Sequence, residues 1–343
     1  MTVRDYYSLT TQGRARRLRE LAWNALAAYD LDVVRMQLLS NEWNGVFRLD
    51  TRDGRKLVLR VGLPRDKGGY DPEEIRSEMM WTDALHRELG LTVPAPIRNR
   101  DGDLLTTASA AGVPEPRHCV VFTWVPGVDL ADRLTEAAYA ATGELMARLH
   151  MHAATWTPPP GFHIVRNDTP YHPKDPQRLL TPPYLDRFTP EQQALLRDAT
   201  ARVEAVQGRL WNNGQPPRVI HHDLHMWNVK LDRGRVHPID FEDLVWGHPV
   251  QDIGLALYYI QDRSDYTNLR RAFQEGYTRH LPWPDDDDID AFIVRRSLDF
   301  LNHFVGSDDP QEQAFFPKFM ERSMERMRRL MPVFSAHTER SRK

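Results

Sequence analysis

The segment His221-His222-Asp223-Leu224-His225-Met226-Trp227-Asn228 is the stretch of sequence that predicts most about this chain. A second polar cluster, Asp240-Phe241-Glu242, follows shortly after it. Short apolar runs precede both clusters, Val219-Ile220 before the first and residues 236–239 before the second. Such runs are typical of buried strands. We therefore predict that each cluster lies just past the end of a short strand.

The residue types in these clusters fit the transfer of a phosphoryl group. Such a transfer needs the attacking hydroxyl held in line and the charge of the γ-phosphate neutralised by a metal ion. One carboxylate accepts the hydrogen bond of the hydroxyl, while a second carboxylate and an amide oxygen suffice to hold Mg²⁺, which prefers oxygen ligands. The order matches the kinase pattern His-x-Asp-x-x-x-x-Asn with a downstream aspartate. We predict Asp223 as the catalytic base, and Asn228 and Asp240 as metal ligands.

The first 125 residues show the alternation of a small antiparallel sheet. Residues 14–39 indicate a helix followed by a strand, and residues 45–50 and 56–61 indicate two further strands. The turn Arg52-Asp53-Gly54 predicts a hairpin between them, because glycine accepts a positive φ without steric cost. Farther on, Asp71-Pro72-Glu73-Glu74 predicts the start of a helix, since aspartate caps a helix and proline fits its first turn.

Helical patterns dominate after Pro126-Gly127. Four helices and a final helical segment are predicted, over residues 136–150, 191–211, 250–262, 269–280 and 289–343. A proline-rich segment at about 155–190 excludes a regular helix there. The sequence thus predicts an α+β fold with two lobes. The N-terminal lobe, a small antiparallel sheet, spans residues 1–125, and the larger, mainly helical C-terminal lobe spans residues 126–343 and contains the proline-rich insertion.

Length and composition agree with this outline. A chain of 343 residues is long enough for two linked lobes, and its net charge of −3 gives no general attraction to nucleic acid or to a membrane. The N-terminus lacks the apolar segment of a secretory signal, and the longest apolar stretch, residues 253–260, is too short to cross a membrane. We therefore expect a cytoplasmic protein. The single cysteine, Cys119, lies in an apolar run and is interpreted as a buried small residue.

The loop resembles the His-Gly-Asp-x-His-x-x-Asn motif of the aminoglycoside phosphotransferase family, which also includes choline- and homoserine-kinase-like enzymes. Residues 239–243, followed by Gly247, Pro249 and Asp252, are similar to the family's metal-binding segment and the aspartate beyond it. The resemblance implies a bilobal, protein-kinase-like fold with ATP or GTP between the lobes and Mg²⁺ as the metal. It implies transfer of the γ-phosphoryl group to a hydroxyl of a small molecule, and it implies that Asp252 braces the catalytic loop.

Weaker features that resemble the family follow one another along the first lobe. Asn44 opens a segment similar to the hairpin that covers the phosphates, and Arg60 stands in the place of the lysine that pairs with them. Glu78 matches the helix glutamate that pairs with that basic group. The segment with Thr123 and Val125 resembles the hinge whose backbone receives the purine. The resemblance therefore implies that these five residues bind the nucleotide.

The chain departs from the family pattern at several positions. His222 replaces the usual glycine of the loop, and its imidazole either enters the acceptor site or fills space. Arg60 replaces lysine. It keeps the positive charge and can bind a phosphate through two N–H groups at once, but arginine and lysine are not interchangeable. The hairpin after Asn44 holds one glycine, Gly45. Glu242 stands where protein kinases have glycine, as is usual in this family.

Three other functions stay open on the sequence. His221, His222, Asp223 and His225 also suit a metal-dependent phosphohydrolase, although such sites draw ligands from several separated helices. A protein Ser/Thr kinase would differ only in its acceptor, and a regulatory pseudokinase would bind a nucleotide without transferring its phosphoryl group. The sequence does not determine the acceptor, the choice between ATP and GTP, or the oligomeric state.

Overall fold

The computed structural model describes residues 5–41 and 43–331. The chain forms two compact units, each assembled from three segments. The first unit takes the chain up to Val128 together with Trp156–Ile164 and Lys230–Glu242, and the second takes Asp129–Thr155, Val165–Val229 and the chain from Asp243 onward. The last twelve residues of the predicted C-terminal lobe, 332–343, lie outside the described residues. The lobe boundary after residue 125 stays a prediction.

The first unit is built on an antiparallel sheet with two helices. Its elements in chain order are α1 (Thr11–Leu26), β1 (Val33–Ser40), β2 (Gly45–Thr51), β3 (Lys56–Val61), α2 (Pro72–Leu89), β4 (Pro96–Ile97), β5 (Thr106–Ala108) and β6 (Arg117–Thr123). The strand order is β1-β2-β3-β6-β4, with β5 also paired to β6. The predicted hairpin is present as β2 and β3, in which Val46 faces Arg60.

The two faces of this sheet pack against different helices. Leu57, Leu59 and Val61 lie in one core with α1, whereas Val58 packs in a second core with α2. Side chains alternate between the faces of a strand, so Arg60 belongs to the α2 face, the face of Val58. The alternation along β3 therefore directs this basic side chain toward α2.

Helix α2 begins where the sequence predicts. Asp71 is its N-cap residue, and the backbone N–H of Asp71 donates to Oε2 of Glu74 at 3.2 Å. Pro72 occupies the first turn, and the helix ends at Gly90, whose φ is 62°. Because Glu78 follows Glu74 by one helical turn, this start fixes the position of Glu78 along the sheet.

The remainder of the described chain is mainly helical. Its elements are β7 (Val128–Asp129), α3 (Glu136–Thr155), α4 (Pro190–Asn212), β8 (Arg218–Ile220), β9 (Val229–Asp232), β10 (Arg235–Pro238), β11 (Val245–Gly247), α5 (Pro249–Tyr258), α6 (Tyr266–Tyr277), α7 (Asp286–Val305) and α8 (Pro310–Leu330). The predicted α+β class, an antiparallel sheet followed by helices, is confirmed. None of the described helices combines the length and apolar character that a membrane span requires.

Two details of the helical part are instructive. The helical segment predicted from residue 289 onward is divided, because α7 stops before Gly306 and Pro310 begins α8. The proline-rich stretch between α3 and α4, all of it described, forms no α-helix and only one short 3₁₀ turn, Tyr184–Arg187. Proline lacks the backbone N–H that a helix interior needs, which explains this result.

Candidate active site

A cavity of about 370 Å³ in the first unit collects most of the predicted site residues. It is lined by side chains of the sheet, of α2 and of the segment that leaves β10. The predicted residues around it are Asn44, Arg60, Glu78, Thr123, Val125 and Asp240. These positions are far apart in the sequence, and the fold of one unit brings all six to the same space.

Arg60 is held by two carboxylates. Its Nη1 lies 2.9 Å from Oε1 of Glu78, its Nη2 bonds the other oxygen of Glu78, and Nη1 is also 2.8 Å from Oε1 of Glu242. Burial alone would lower the pKa of Arg60, but Glu242 and Glu78 together more than offset this and raise the pKa. The guanidinium therefore stays charged and is fixed in orientation.

Glu242 also belongs to this group, although no sequence pattern assigns it a role in binding. It accepts two hydrogen bonds from Nδ2 of Asn44, at 2.8 and 2.9 Å, in addition to its ion pair with Arg60. The amide oxygen of Asn44 in turn accepts from the backbone N–H of Leu63 at 3.2 Å. Glu242 thus links the segment that carries Asp240 to Asn44, which directly precedes β2, and to Arg60.

The charged residues that line the cavity are mostly acidic. Arg60 and Lys230 line it together with three acidic residues, Glu78, Asp240 and Glu242. A triphosphate placed here would meet more negative than positive protein charge, so its binding calls for an added cation. The carboxylate of Asp240 is an oxygen donor of the kind that Mg²⁺ selects. The residues present therefore fit a Mg²⁺-bound nucleotide.

Apolar side chains also line the cavity. Val46 and Val58 of the sheet, Phe122 of β6 and Ile239 contribute to its wall, as do Thr123 and Val125. Apolar walls suit a purine, which packs against apolar side chains and bonds through its edge. The segment predicted as the hinge therefore lies at this cavity, and its binding of a purine stays a prediction.

In the second unit, Asp252 supports the loop that begins after β8. Oδ2 of Asp252 accepts from the backbone N–H of His221 at 3.0 Å, and Oδ1 accepts from that of His222 at 2.7 Å. His150 Nε2 lies 3.1 Å from Oδ2 of the same carboxylate. Asp252 is buried, and it acts as the predicted brace of the loop through these backbone contacts.

The loop contains a histidine in a conformation that favours glycine. His222 has a φ of 63°, in the left-handed region where a Cβ atom is strained. This explains the glycine that is usual at this place. The ring is buried, and Nη1 of Arg295 donates to its Nε2 at 3.3 Å, so the neutral tautomer carries its proton on Nδ1. Burial holds the pKa of His222 well below its usual value, and the ring fills space inside the unit.

Asp223 and Asn228 contact each other within this loop. Nδ2 of Asn228 donates to the backbone oxygen of Asp223 at 2.9 Å and to its Oδ2 at 2.8 Å. Since a carbonyl oxygen only accepts, the nitrogen of the amide must face Asp223. The amide oxygen of Asn228 is then the atom that can bind a metal. Arg296 of α7, which no sequence pattern singles out, contacts the other carboxylate oxygen of Asp223 at 2.9 Å.

The histidines of the loop take part in separate contacts. His221 Nδ1 accepts from the backbone N–H of Asp223, and His222 bonds Arg295. His225 lies with Nε2 3.5 Å from Oδ2 of Asp223, and its ring centre is 4.2 Å from that of Tyr259. Within residues 5–41 and 43–331, no three or more His, Cys, Asp or Glu side chains are grouped so that they could hold a metal ion. The convergence that a phosphohydrolase centre at residues 221–225 requires is therefore not seen there.

Cys119 is buried, and burial raises the pKa of its thiol to about 12.

Comparison with known proteins adds independent information. The sequence profile of the phosphotransferase enzyme family matches residues 35–289. No curated protein sequence gives a significant match. Among solved structures, a microcompartment-associated aminopropanol kinase is 24% identical with a TM-score of 0.74, covering 92% of this chain and 98% of its own.

Two further structures are similar over nearly the same length. An amicoumacin kinase, in complex with AMP-PNP, Ca²⁺ and Ami, is 17% identical with a TM-score of 0.70, covering 92% of this chain and 96% of its own. A spectinomycin phosphotransferase in complex with ADP and spectinomycin is 12% identical with a TM-score of 0.57, covering 91% and 98%. At these identities the likeness shows a shared fold.

Proposed function

The chain belongs to the phosphotransferase enzyme family, and from this premise we propose that it moves the γ-phosphoryl group of ATP or GTP to a hydroxyl of a small molecule. The family resemblance inferred from the loop motif is confirmed by the match over residues 35–289. One observation carries the detailed proposal. A single cavity gathers every residue predicted to bind the nucleotide, together with Asp240.

Within this cavity the nucleotide would lie with its base against the apolar wall. The backbone of Thr123 and Val125 would receive the edge of the purine. Arg60, oriented by Glu78 and Glu242, would position the α- and β-phosphates, and Asn44 would hold the hairpin above them. The complexes of the amicoumacin kinase with AMP-PNP and of the spectinomycin phosphotransferase with ADP support a nucleotide as donor.

Mg²⁺ is the metal that we propose for this site. The carboxylate of Asp240 and the amide oxygen of Asn228 would hold it, because both are hard oxygen donors. When bound, it supplies charge neutralisation for the phosphates. The excess of acidic over basic residues in the lining of the cavity supports this, since a triphosphate alone would be repelled there.

Asp223 is the proposed base for the acceptor. Its carboxylate would accept the hydrogen bond of the acceptor hydroxyl and take the proton as the oxygen bonds to the γ-phosphorus and the bond to the nucleoside diphosphate breaks. Asn228 supports this role because it fixes the orientation of the carboxylate. We propose a small-molecule acceptor and a cytoplasmic location, with no nucleic acid or membrane as partner.

Two aspartate variants test the proposal. We expect Asp223→Ala to lower kcat by about 10²–10⁴-fold while Mg-nucleotide still binds, because only the base is lost. Asp240→Ala should abolish turnover and also weaken Mg-nucleotide binding, measured by calorimetry. Asp265→Ala, at an exposed ion pair with Arg263, serves as the matched control and should behave as the native protein.

The acceptor is sought with a panel of hydroxylated amines, sugars and antibiotics and with Mg-ATP, by thermal shift and by release of ADP. Transfer to generic protein substrates in place of these would indicate a protein kinase. Nucleotide binding with neither transfer nor hydrolysis would indicate a pseudokinase. Native turnover in Asp223→Ala would refute the role of that residue.

A further inference from the structure

Arg296 contacts the proposed base from a distant part of the chain. Its Nη2 donates to Oδ1 of Asp223 at 2.9 Å, across a sequence separation of 73 residues. The side chains of the two residues are only 15% and 17% exposed. An ion pair shielded to this degree is screened less by solvent than a surface pair, so its geometry is better defined.

The guanidinium of Arg296 is itself anchored. The same Nη2 lies 2.8 Å from the hydroxyl of Tyr259, and the guanidinium carbon lies 4.5 Å from the centre of the Phe300 ring and 5.7 Å from that of Tyr259. Burial alone would lower the pKa of Arg296, but Tyr259 and Asp223 more than offset it and raise the pKa. Arg296 therefore stays charged and has little freedom to leave Asp223.

The neighbouring Arg295 shows what a structural arginine looks like in this helix. All five of its N–H groups are used by described partners, namely the backbone oxygens of Thr169 and Tyr171 and the side chains of Asn167, His222 and Asp299. Arg296 differs, because among the described residues its hydrogen-bond partners are only Asp223 and Tyr259, both through Nη2. Its hydrogen bonds are thus made to the proposed base and to the residue that anchors it.

Each oxygen of the Asp223 carboxylate is bound by a residue from a different part of the chain. Arg296 binds Oδ1, and Asn228 binds Oδ2 at 2.8 Å. A carboxylate with one partner can rotate about its terminal bond, whereas one with a partner on each oxygen is held in a single plane. We propose that Arg296, anchored on Tyr259, is a positioning residue that aligns Asp223 for the acceptor hydroxyl. This inference rests on the proposed function.

The test compares arginine variants in the native and in an Asp223→Ala background. Turnover is followed as ADP release with the acceptor found by screening, or as phosphate release from Mg-ATP with water as acceptor. Arg296→Met should lower kcat by about 10²-fold, because misplacement of a reacting group has costs of this order, and should leave the KM for Mg-ATP within about threefold of the native value. Arg296→Lys should recover part of the loss, since lysine restores one charged donor.

The variant that combines Arg296→Met with Asp223→Ala is the most informative one, because it shows whether the two residues act together. If Arg296 acts through Asp223, Arg296→Met should cause no further loss of kcat once Asp223 is alanine, since effects of residues that act as a unit are not additive. Arg279→Met, at an exposed pair with Glu144, is the matched control and should keep native kcat. Tyr259→Phe, which removes only the anchoring hydroxyl, provides a second route if Arg296→Met does not fold, and should lower kcat about tenfold.

Several results would overturn the inference. A native kcat in Arg296→Met would do so, as would an equal further loss in the Asp223→Ala background, or a native kcat in Tyr259→Phe when the methionine variant does not fold. A strongly lowered kcat in Asp223→Ala beside a native kcat in Arg296→Met removes this inference alone. Native activity in Asp223→Ala, or no turnover by the unaltered protein with any acceptor, removes the proposed function and this inference with it.

Discussion

Nη1 of Arg60 lies 2.8 Å from Oε1 of Glu242, so the basic residue of β3 is bound by a carboxylate from the segment that carries Asp240. Glu78 of α2 binds the same guanidinium. Lysine, with one nitrogen, could not present several fixed donors to two carboxylates in the way that a planar guanidinium does. The arginine at this position and the glutamate at 242 are therefore best understood as a pair.

Replacing Glu242 should loosen this group. Glu242→Gln removes the negative charge that faces Arg60 while keeping the size of the side chain. We expect the free energy of unfolding, measured with urea, to fall by about 1–3 kcal/mol, because a hydrogen bond to a charged group is lost. Glu321→Gln, at an exposed position of α8, is the control. An unchanged unfolding midpoint would show that Glu78 alone suffices for Arg60.

Asp252 should be needed for catalysis although it takes no part in the proposed proton transfer. In Asp252→Asn one carboxylate oxygen becomes an NH₂ group, which then faces a backbone N–H of the loop. We expect a loss of about 1–3 kcal/mol in stability and a lower kcat, because the loop that carries Asp223 is no longer held. Mg-nucleotide binding, measured by calorimetry, should change little; a large loss of that binding would contradict the bracing role.

The left-handed backbone at His222 gives a matched pair of variants. His222→Ala and His222→Gly both remove the buried ring, but only glycine accepts a φ of 63° without strain. We expect the glycine variant to be more stable than the alanine variant by about 1 kcal/mol. Urea unfolding of both proteins measures this difference. Equal stability would mean that the loop relaxes its backbone in the alanine variant.

The same histidine should make stability depend on pH. Burial holds the pKa of His222 well below its usual value of 6.5, so the unfolded chain takes up a proton at this site near pH 6.5 and the folded chain does not. The contribution of His222 to the free energy of unfolding is therefore fully present above pH 6.5. It is lost as the pH falls below this value, by at most about 1.4 kcal/mol per pH unit.

His222→Asn removes the titrating ring, and asparagine tolerates a positive φ. Between pH 7 and 5 the unfolding free energy of this variant should fall less steeply than that of the native protein. His118, His237 and His248, whose pKa values are also lowered by burial, remain in both proteins, so the difference between the curves isolates residue 222. Parallel curves would contradict the expectation.

Much of the architecture follows from local patterns. The Asp-Gly turn, the alternation along β3 and the capped start of α2 act over a few residues, and together they direct Arg60 and Glu78 to one face. The proximity of Asp223 and Asn228 can likewise be predicted from the sequence, because the two residues belong to one loop with a recognisable spacing.

Contacts made by long flexible side chains cannot be predicted from local sequence patterns. Arg296 lies in the middle of a helix whose sequence shows only an amphipathic pattern, and nothing in it distinguishes Arg296 from Arg295. Glu242 was visible as a departure from glycine, but its ion pair with Arg60 depends on how the chain returns to the first unit. Local signals specify elements, whereas such pairs are specified by tertiary structure.

The first unit is completed by Lys230–Glu242, long after Val128. A ribosome must therefore synthesise the chain through Glu242 before Arg60 can meet its second carboxylate and before Asp240 can reach the cavity. A gene fragment that stops at Val128 would encode the sheet but not the full set of charges around it. The first unit is accordingly not a portable N-terminal module, and exchange of this unit between relatives should preserve function only when all three of its segments are exchanged together.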